Sequence, residues 1–249
     1  MMTIYKIRQQ QPLIHCITNY VVANFTANGL LAIGASPVMA DEVSEVEQMT
    51  SIASGLLINI GTLNQSKVPA MLAAGKAANK QGVPAVLDPV GVGATSYRQE
   101  VIQQLLQQVK FTLIRCNEGE LATIAGVEWR AKGVDSGQGN IDTIAVAQEV
   151  AKKYDTIVVV TGAVDIVTDG TIVKKVAGGH ERMTLVTGSG CLLSALCTAA
   201  LTVEGEPVAN LAELLQTYKQ IAEDAERNTA YIGSFQIEIL NGLEKYSKG

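Results

Sequence analysis

Met183-Thr-Leu-Val-Thr-Gly-Ser-Gly-Cys-Leu-Leu-Ser-Ala-Leu-Cys-Thr-Ala-Ala-Leu-Thr-Val203 joins a cluster of turn-forming residues to a long run without charge. Turn-forming Thr187, Gly188, Ser189 and Gly190 stand directly before an uncharged, small or apolar run from Cys191 to Val203. That run reads as a buried helix beginning near Gly190. The first N–H groups of such a helix lack intrahelical partners, the aligned peptide dipoles add partial positive charge, and glycines allow an anion close to the main chain. Gly188, Ser189, Gly190 and Cys191 therefore form a candidate anion hole with a thiol inside it. The same pattern also describes a glycine turn ahead of a core helix with a packed cysteine, and the local sequence leaves both open.

Working outward, 249 residues with 47% hydrophobic and 17% charged content can bury a substantial core. Aromatic residues are few, at 4%, while Ala, Val, Ile, Leu and Gly abound. That balance suits helices packed closely on a mostly parallel sheet, and residues 1–249 read as one domain. A net charge of −5 without runs of Lys or Arg argues against nucleic acid and membrane partners and for small molecules. Cys16, Cys116, Cys191 and Cys197 have neither zinc-site spacing nor the density of a secreted disulfide framework, so a reducing cytoplasm is the expected location. The N-terminus carries no signal-peptide apolar core. Ile17 to Ala40 is also free of charge, but Asn19, Asn24, Asn28, Gly29, Gly34 and Pro37 interrupt it; it reads as interior chain rather than a membrane span.

In chain order, Pro12 to Thr18 reads as a strand and Val21 to Leu31 as a helix. Asn19 stands between them, either as a ligand contact at a strand end or as a helix cap. His15, in mid-strand, reads as a hydrogen-bonded core histidine. Met39 closes an extended segment and is either pocket lining or core filler. Ser54 to Gly61 is a strand, Lys67 to Lys80 a helix ending towards Gly82, and Pro84 to Asp88 a strand delivering a carboxylate beside Pro89-Val-Gly-Val-Gly-Ala-Thr95. That carboxylate suits a metal or phosphate neighbourhood, or an ordinary capped turn. After a helix from Tyr97 to Val109, the strand Phe111 to Ile114 hands over to Arg115, Asn117 and Glu120. An Asn and a carboxylate three apart can hold magnesium and Arg can bind phosphate; the same pair can close a capping box. Val127 to Asn140 reads as a mobile surface loop. Asp155 to Thr161 is a strand, and Asp169-Gly170 marks a hairpin between Asp165–Thr168 and Thr171–Lys175. Helical patterns follow through Leu211–Ala230 and Phe235–Tyr246.

Asp88-Pro-Val-Gly-Val-Gly-Ala-Thr95, Arg115-Cys-Asn-Glu-Gly-Glu120, Val160-Thr-Gly162 and Thr187-Gly-Ser-Gly-Cys191 together resemble the ribokinase-like small-molecule kinases. With His15-Cys-Ile-Thr-Asn-Tyr20 and Gly34-Ala-Ser-Pro-Val-Met-Ala40, the chain is similar to the hydroxyethylthiazole kinase family. The resemblance implies a three-layer α/β/α fold with a mostly parallel sheet and a short antiparallel edge. It implies phosphorylation of 4-methyl-5-(2-hydroxyethyl)thiazole by ATP with magnesium, in thiamine salvage, by a homotrimer with sites at subunit contacts. Residue by residue, it implies Asp88, Asn117 and Glu120 around magnesium, Arg115 and Thr161 at the nucleotide, and Met39 and Gly188 at the acceptor with Asn19 beside them. Cys191 falls where most ribokinase-like enzymes carry a catalytic aspartate. The glycine turn also suits hydroxymethylpyrimidine phosphate kinases, and a thiazole-binding protein without transfer activity would share the pocket. A cysteine hydrolase would need His15 or His180 as base, and the dinucleotide fingerprint of an oxidoreductase is missing.

Overall fold

Alternation within short apolar runs builds the sheet. In the third strand Leu57 faces one core while Leu56 and Ile58 face the other, as the twofold period of a pleated strand requires. The computed structural model describes residues 2–127 and 141–249, so all but the first residue of the expected loop Val127–Asn140 lies outside the described residues. Among the described residues eight strands form one sheet: β1 (Leu13–Ile17), β2 (Ser36–Val38), β3 (Gly55–Asn59), β4 (Ala85–Asp88), β5 (Leu113–Asn117), β6 (Ile157–Thr161), β7 (Asp165–Thr168) and β8 (Val173–Val176). Their spatial order is β2-β1-β3-β4-β5-β6-β7-β8. The first six are parallel, and β7 and β8 add the antiparallel edge.

Helices cover both faces. On one lie α1 (Met2–Gln10), α2 (Ala23–Ala32), α8 (Ser189–Ala200), α9 (Pro207–Asn228) and α10 (Ile232–Ser247). On the other lie α3 (Val46–Ile52), α4 (Lys67–Gln81), α5 (Ser96–Gln108), α6 (Glu118–Ala125) and α7 (Thr143–Tyr154). Each face has its own apolar core, giving the three-layer architecture expected from the sequence. Every residue of α8 from Leu192 to Ala200 is buried, because this helix has the sheet on one side and other helices on the other. Close approach to α2 is made possible by Gly29, where a Cβ would sit 2.2 Å from Leu192 Cδ1.

The sequence reading differs from the structure in places: it leaves out the helices α1, α3 and α7, and β5 is longer than the strand read over Phe111–Ile114. The polar segment α1 buries only Thr3, Ile4 and Ile7; its start is held by tertiary contact, the Glu213 carboxylate accepting from the N–H groups of Met2 (2.8 Å) and Thr3 (3.1 Å) and the Thr3 hydroxyl (2.6 Å). β5 runs on to Asn117 rather than stopping at Ile114, because Arg115 and Asn117 register against Val159 and Thr161 of β6.

Strand order places the chemistry. The chain passes from β1 outward to β2 and then back across β1 to β3, so the connections reverse direction here and a crevice opens at the carboxyl ends of β1 and β3. Leu57, Val86, Leu113 and Val159 belong to the α8-side core; two residues further along each strand stand Asn59, Asp88, Arg115 and Thr161. The pleat therefore turns all four of these polar side chains to the face that α8 covers.

Candidate active site

α8 begins over this row. Gly188 is its N-cap, in a left-handed conformation at φ +91°, and an added Cβ would also meet Val22 Cγ1 at 2.5 Å, so glycine is required twice over. At Gly190 a Cβ would stand 2.8 Å from Arg115 Nη1; the guanidinium lies against the first turn of the helix. The first intrahelical bond runs from Leu192 N–H to Gly188 O at 2.8 Å, so the N–H groups of Gly190 and Cys191 precede it in the ladder. Ser189 is less available as an anion donor: its N–H is given to Val186 O (3.2 Å) and its hydroxyl to Met183 O (2.8 Å).

A chain of hydrogen bonds links the strand ends to this helix. Asn19 Nδ2 donates to Asn59 Oδ1 (2.9 Å) and towards Cys191 Sγ (3.5 Å). Asn59 Nδ2 donates to Asp88 Oδ2 at 2.7 Å, and Ser194, one turn after Cys191, donates its hydroxyl to the same oxygen at 2.8 Å. Asn19 is thus tied to the start of α8, and the cap position of α2 belongs to Val22. Arg98 pins the neighbouring loops, donating to the carbonyls of Ile60, Gly61 and Val90 at 2.6–2.8 Å.

Two charges are left incompletely paired. Asp88 is fully buried, and its Oδ1 has no hydrogen-bond partner among the described residues. Arg115 Nη1 is 3.9 Å from that oxygen, Arg115 Nη2 donates to Thr161 Oγ1 at 2.5 Å, and Arg115 Nε has no partner among the described residues. Burial pushes the Asp88 carboxyl up to about 6, with the Glu120 charge adding to the rise, against Arg115 and the Ser194 and Asn59 hydrogen bonds. Burial disfavours the Arg115 cation, but Asp88 and Glu120 outweigh it and raise its pKa. Orphaned atoms on a buried carboxylate and a buried guanidinium suit a site that receives a cation and a phosphate.

Asn117 and Glu120 form the capping box that the sequence also allowed. Asn117 Oδ1 accepts from Glu120 N–H and Glu120 Oε2 from Asn117 N–H, both at 2.9 Å, while Glu120 Oε1 accepts from Gly91 N–H at 2.9 Å. Met39 is half-buried and packs on the α8-side core. His15 is the core histidine expected: buried, its Nδ1 is 2.8 Å from Thr50 Oγ1 and its Nε2 2.8 Å from Ala40 O. Asn59 and Ser194 were missed, although a polar residue inside Leu-Leu-Ile-Asn-Ile and a serine three after the key cysteine were visible signals.

Cys191 behaves differently from a thiol activated by a helix start. Burial, reinforced by Asp88, pushes it up to about 11, outweighing the hydrogen bonds of Asn59 and Asn19 and the charge of Arg115. The group is a neutral thiol at physiological pH. Iodoacetamide labelling of Cys191 in the native protein is expected to be slow near pH 8 and still rising near pH 10; a plateau reached by about pH 9 would reveal a thiolate instead.

The family model for hydroxyethylthiazole kinases matches residues 4–248. A protein named hydroxyethylthiazole kinase from Lysinibacillus sphaericus is 57% identical over 242 residues, covering 97% of this chain and 95% of the relative. One of the same name from Haemophilus influenzae is 54% identical over 251 residues, covering 99% and 95%. The solved structure of a hydroxyethylthiazole kinase protein from Pyrococcus horikoshii superposes with a TM-score of 0.89 at 38% identity, covering 98% of this chain and 92% of that one. A Bacillus subtilis pyridoxal kinase, at TM-score 0.64 and 17% identity over 83% of this chain and 89% of that one, shares the fold. With the glycine-led helix start and the strand-end row in place, these likenesses settle the grouping: the chain belongs to the hydroxyethylthiazole kinase family.

Proposed function

We propose that the chain transfers the γ-phosphoryl group of ATP to the primary hydroxyl of 4-methyl-5-(2-hydroxyethyl)thiazole, yielding the thiazole phosphate for thiamine formation. The observation that carries this reading is the convergence of Cys191, Asn19, Asp88 and Arg115 at the glycine-led start of α8. Phosphoryl transfer chiefly needs alignment and neutralisation of spreading charge. First-turn N–H groups of Gly190 and Cys191 and the Arg115 guanidinium supply both for the transferred group. Arg115 and Thr161 hold the nucleotide; Met39, Gly188 and Asn19 face the acceptor.

Magnesium fits the donor set. Among the described residues no three His, Cys, Asp or Glu side chains gather as a cage, and magnesium commonly takes one or two carboxylates plus phosphate oxygens and water. Asp88, with its unpartnered Oδ1, would hold it, with Glu120 and Asn117 nearby. Bound there, the ion would offset charge on the phosphates. Cys191 is then an orienting group for the acceptor oxygen, steadied by Asn19, since a loose transition state asks little of a base. Among the described residues no helix is long and apolar enough to cross a membrane, which accords with a cytoplasmic enzyme acting as one domain over residues 1–249.

Exposed Tyr20, Val21 and Leu185 are chain neighbours of Asn19 and Gly188, and cover by a second copy would complete the site. This supports self-association; the homotrimer itself follows from the family resemblance, light scattering should give three times the 26.3 kDa chain mass, and a monomeric or dimeric mass excludes it.

Phosphorus NMR of protein, ATP, magnesium and the thiazole is expected to show ADP and a new phosphate monoester. Bound thiazole with intact ATP would make this a binding protein. Cys191→Ala is expected to lower kcat by about a hundredfold with ATP binding retained, and Cys191→Asp to retain or exceed wild-type turnover.

A further inference from the structure

Four oxygens surround the ammonium of Lys219 on α9. Gly178 O lies at 3.1 Å, Asp165 Oδ1 at 3.2 Å, Gly162 O at 3.4 Å and Ala163 O at 3.5 Å, and the side chain is 10% exposed. An ammonium has three protons, so this shell exceeds its donors. It holds the group as a small cation is held, by carbonyl dipoles and one carboxylate from separate pieces of chain. One helical turn on, Glu223 Oε1 accepts from Gly179 N–H at 2.9 Å. Lys219 and Glu223 therefore take opposite ends of one peptide unit, the carbonyl of Gly178 and the N–H of Gly179. Both glycines have positive φ, +102° and +86°, and a Cβ on Gly178 would press within 2.8 Å of Glu223 Oε1.

The segments gripped are the supports of the phosphate site. Gly162 and Ala163 continue directly from Thr161, whose hydroxyl accepts from Arg115. Gly178 and Gly179 lead through the 3-10 turn Glu181–Leu185 to Gly188. The residue preceding Lys219 reaches the same region: Tyr218 Oη donates to Ser189 O at 3.0 Å. Burying an ammonium is costly unless its surroundings replace water, and nothing in the acceptor chemistry calls for a lysine on this side of α8.

We propose that Lys219 is a positioning residue, an internal cation that draws the Thr161–Ala163 turn and the Gly178–Gly179 segment into the arrangement that receives the nucleotide. The inference rests on Thr161 being a nucleotide contact, as proposed above. It acts through main-chain oxygens and touches neither substrate.

Lys219→Ala removes the cation and leaves room among the same four oxygens for a small free ammonium ion. ATP KM is expected to rise about tenfold, with thiazole KM and kcat at saturating ATP within about twofold of wild type. Ammonium or methylammonium chloride should restore the ATP KM, and tetramethylammonium, which cannot donate, should not. Lys219→Met fills the space without charge and should keep the raised ATP KM in every salt. An unchanged ATP KM in Lys219→Ala, or parallel losses in both KM values and kcat without amine rescue, overturns the proposal. Should Lys219→Ala be insoluble, the same split between the two KM values in Lys219→Met decides. Thermal unfolding of Lys219→Ala with methylammonium against tetramethylammonium reads the cation site without activity. A wild-type protein inert towards ATP defeats the kinase reading, and equal melting in the two salts then defeats the cation site separately.

Discussion

Asp88 is a carboxylate with no solvent exposure at the end of a central strand, and the site depends on how the fold accommodates that burial. A rise from 3.8 to about 6 corresponds to about 3 kcal/mol of preference for the neutral form. The sign follows: this raised pKa favours the fold below about pH 4, and that contribution is lost as pH rises through about 6. At neutral pH the ionised carboxylate is therefore tolerated at a cost. Asn59, Ser194 and Arg115 offset part of it, each from a different element, β3, α8 and β5. The remaining deficit sits on Oδ1, on the face that receives ligand. A site whose own charges are not fully satisfied gains from binding groups that complete them.

The same arrangement explains why Cys191 does not follow the helix-start rule. Partial positive charge at an N-terminus favours a thiolate, but burial and the neighbouring Asp88 charge work the other way and prevail. In the proposed mechanism that dipole serves an incoming anion, with Arg115 laid against Gly190 to reinforce it. Glycines at 188 and 190 follow from this: one permits the left-handed entry beside Val22, the other admits the guanidinium. A helix buried from Leu192 to Ala200 then anchors its own first turn against the sheet, the support that alignment-driven catalysis requires.

Much of this was legible from the sequence because the signals were local. Apolar runs marked the strands, Gly82 and Gly170 marked a helix end and a hairpin, and strand-end positions marked Asn19, Asp88 and Arg115 as candidates. The capping box at Asn117 and Glu120 shows the opposite situation, where one spacing serves two purposes and only coordinates reveal that the local one is satisfied. Strand order was beyond reach, because crossover rules restrict topology without choosing it. Asn59, Ser194 and Lys219 were hidden for the same reason: each gains meaning only through partners 29 to 106 residues away along the chain. One signal was present but unused. In four strands a polar residue follows two places after a buried apolar one, Leu57 and Asn59, Val86 and Asp88, Leu113 and Arg115, Val159 and Thr161, and the pleat sends each pair to one face.

We place phosphoryl transfer over the first turn of α8, between the Arg115–Asp88 pair and the thiol of Cys191. A crystal structure with a non-hydrolysable ATP analogue, magnesium and hydroxyethylthiazole measures this directly. The terminal phosphate is expected within hydrogen-bonding distance of the Gly190 and Cys191 N–H groups, with the acceptor hydroxyl against Sγ. A terminal phosphate bound away from that turn, or a thiazole whose hydroxyl points elsewhere, contradicts it.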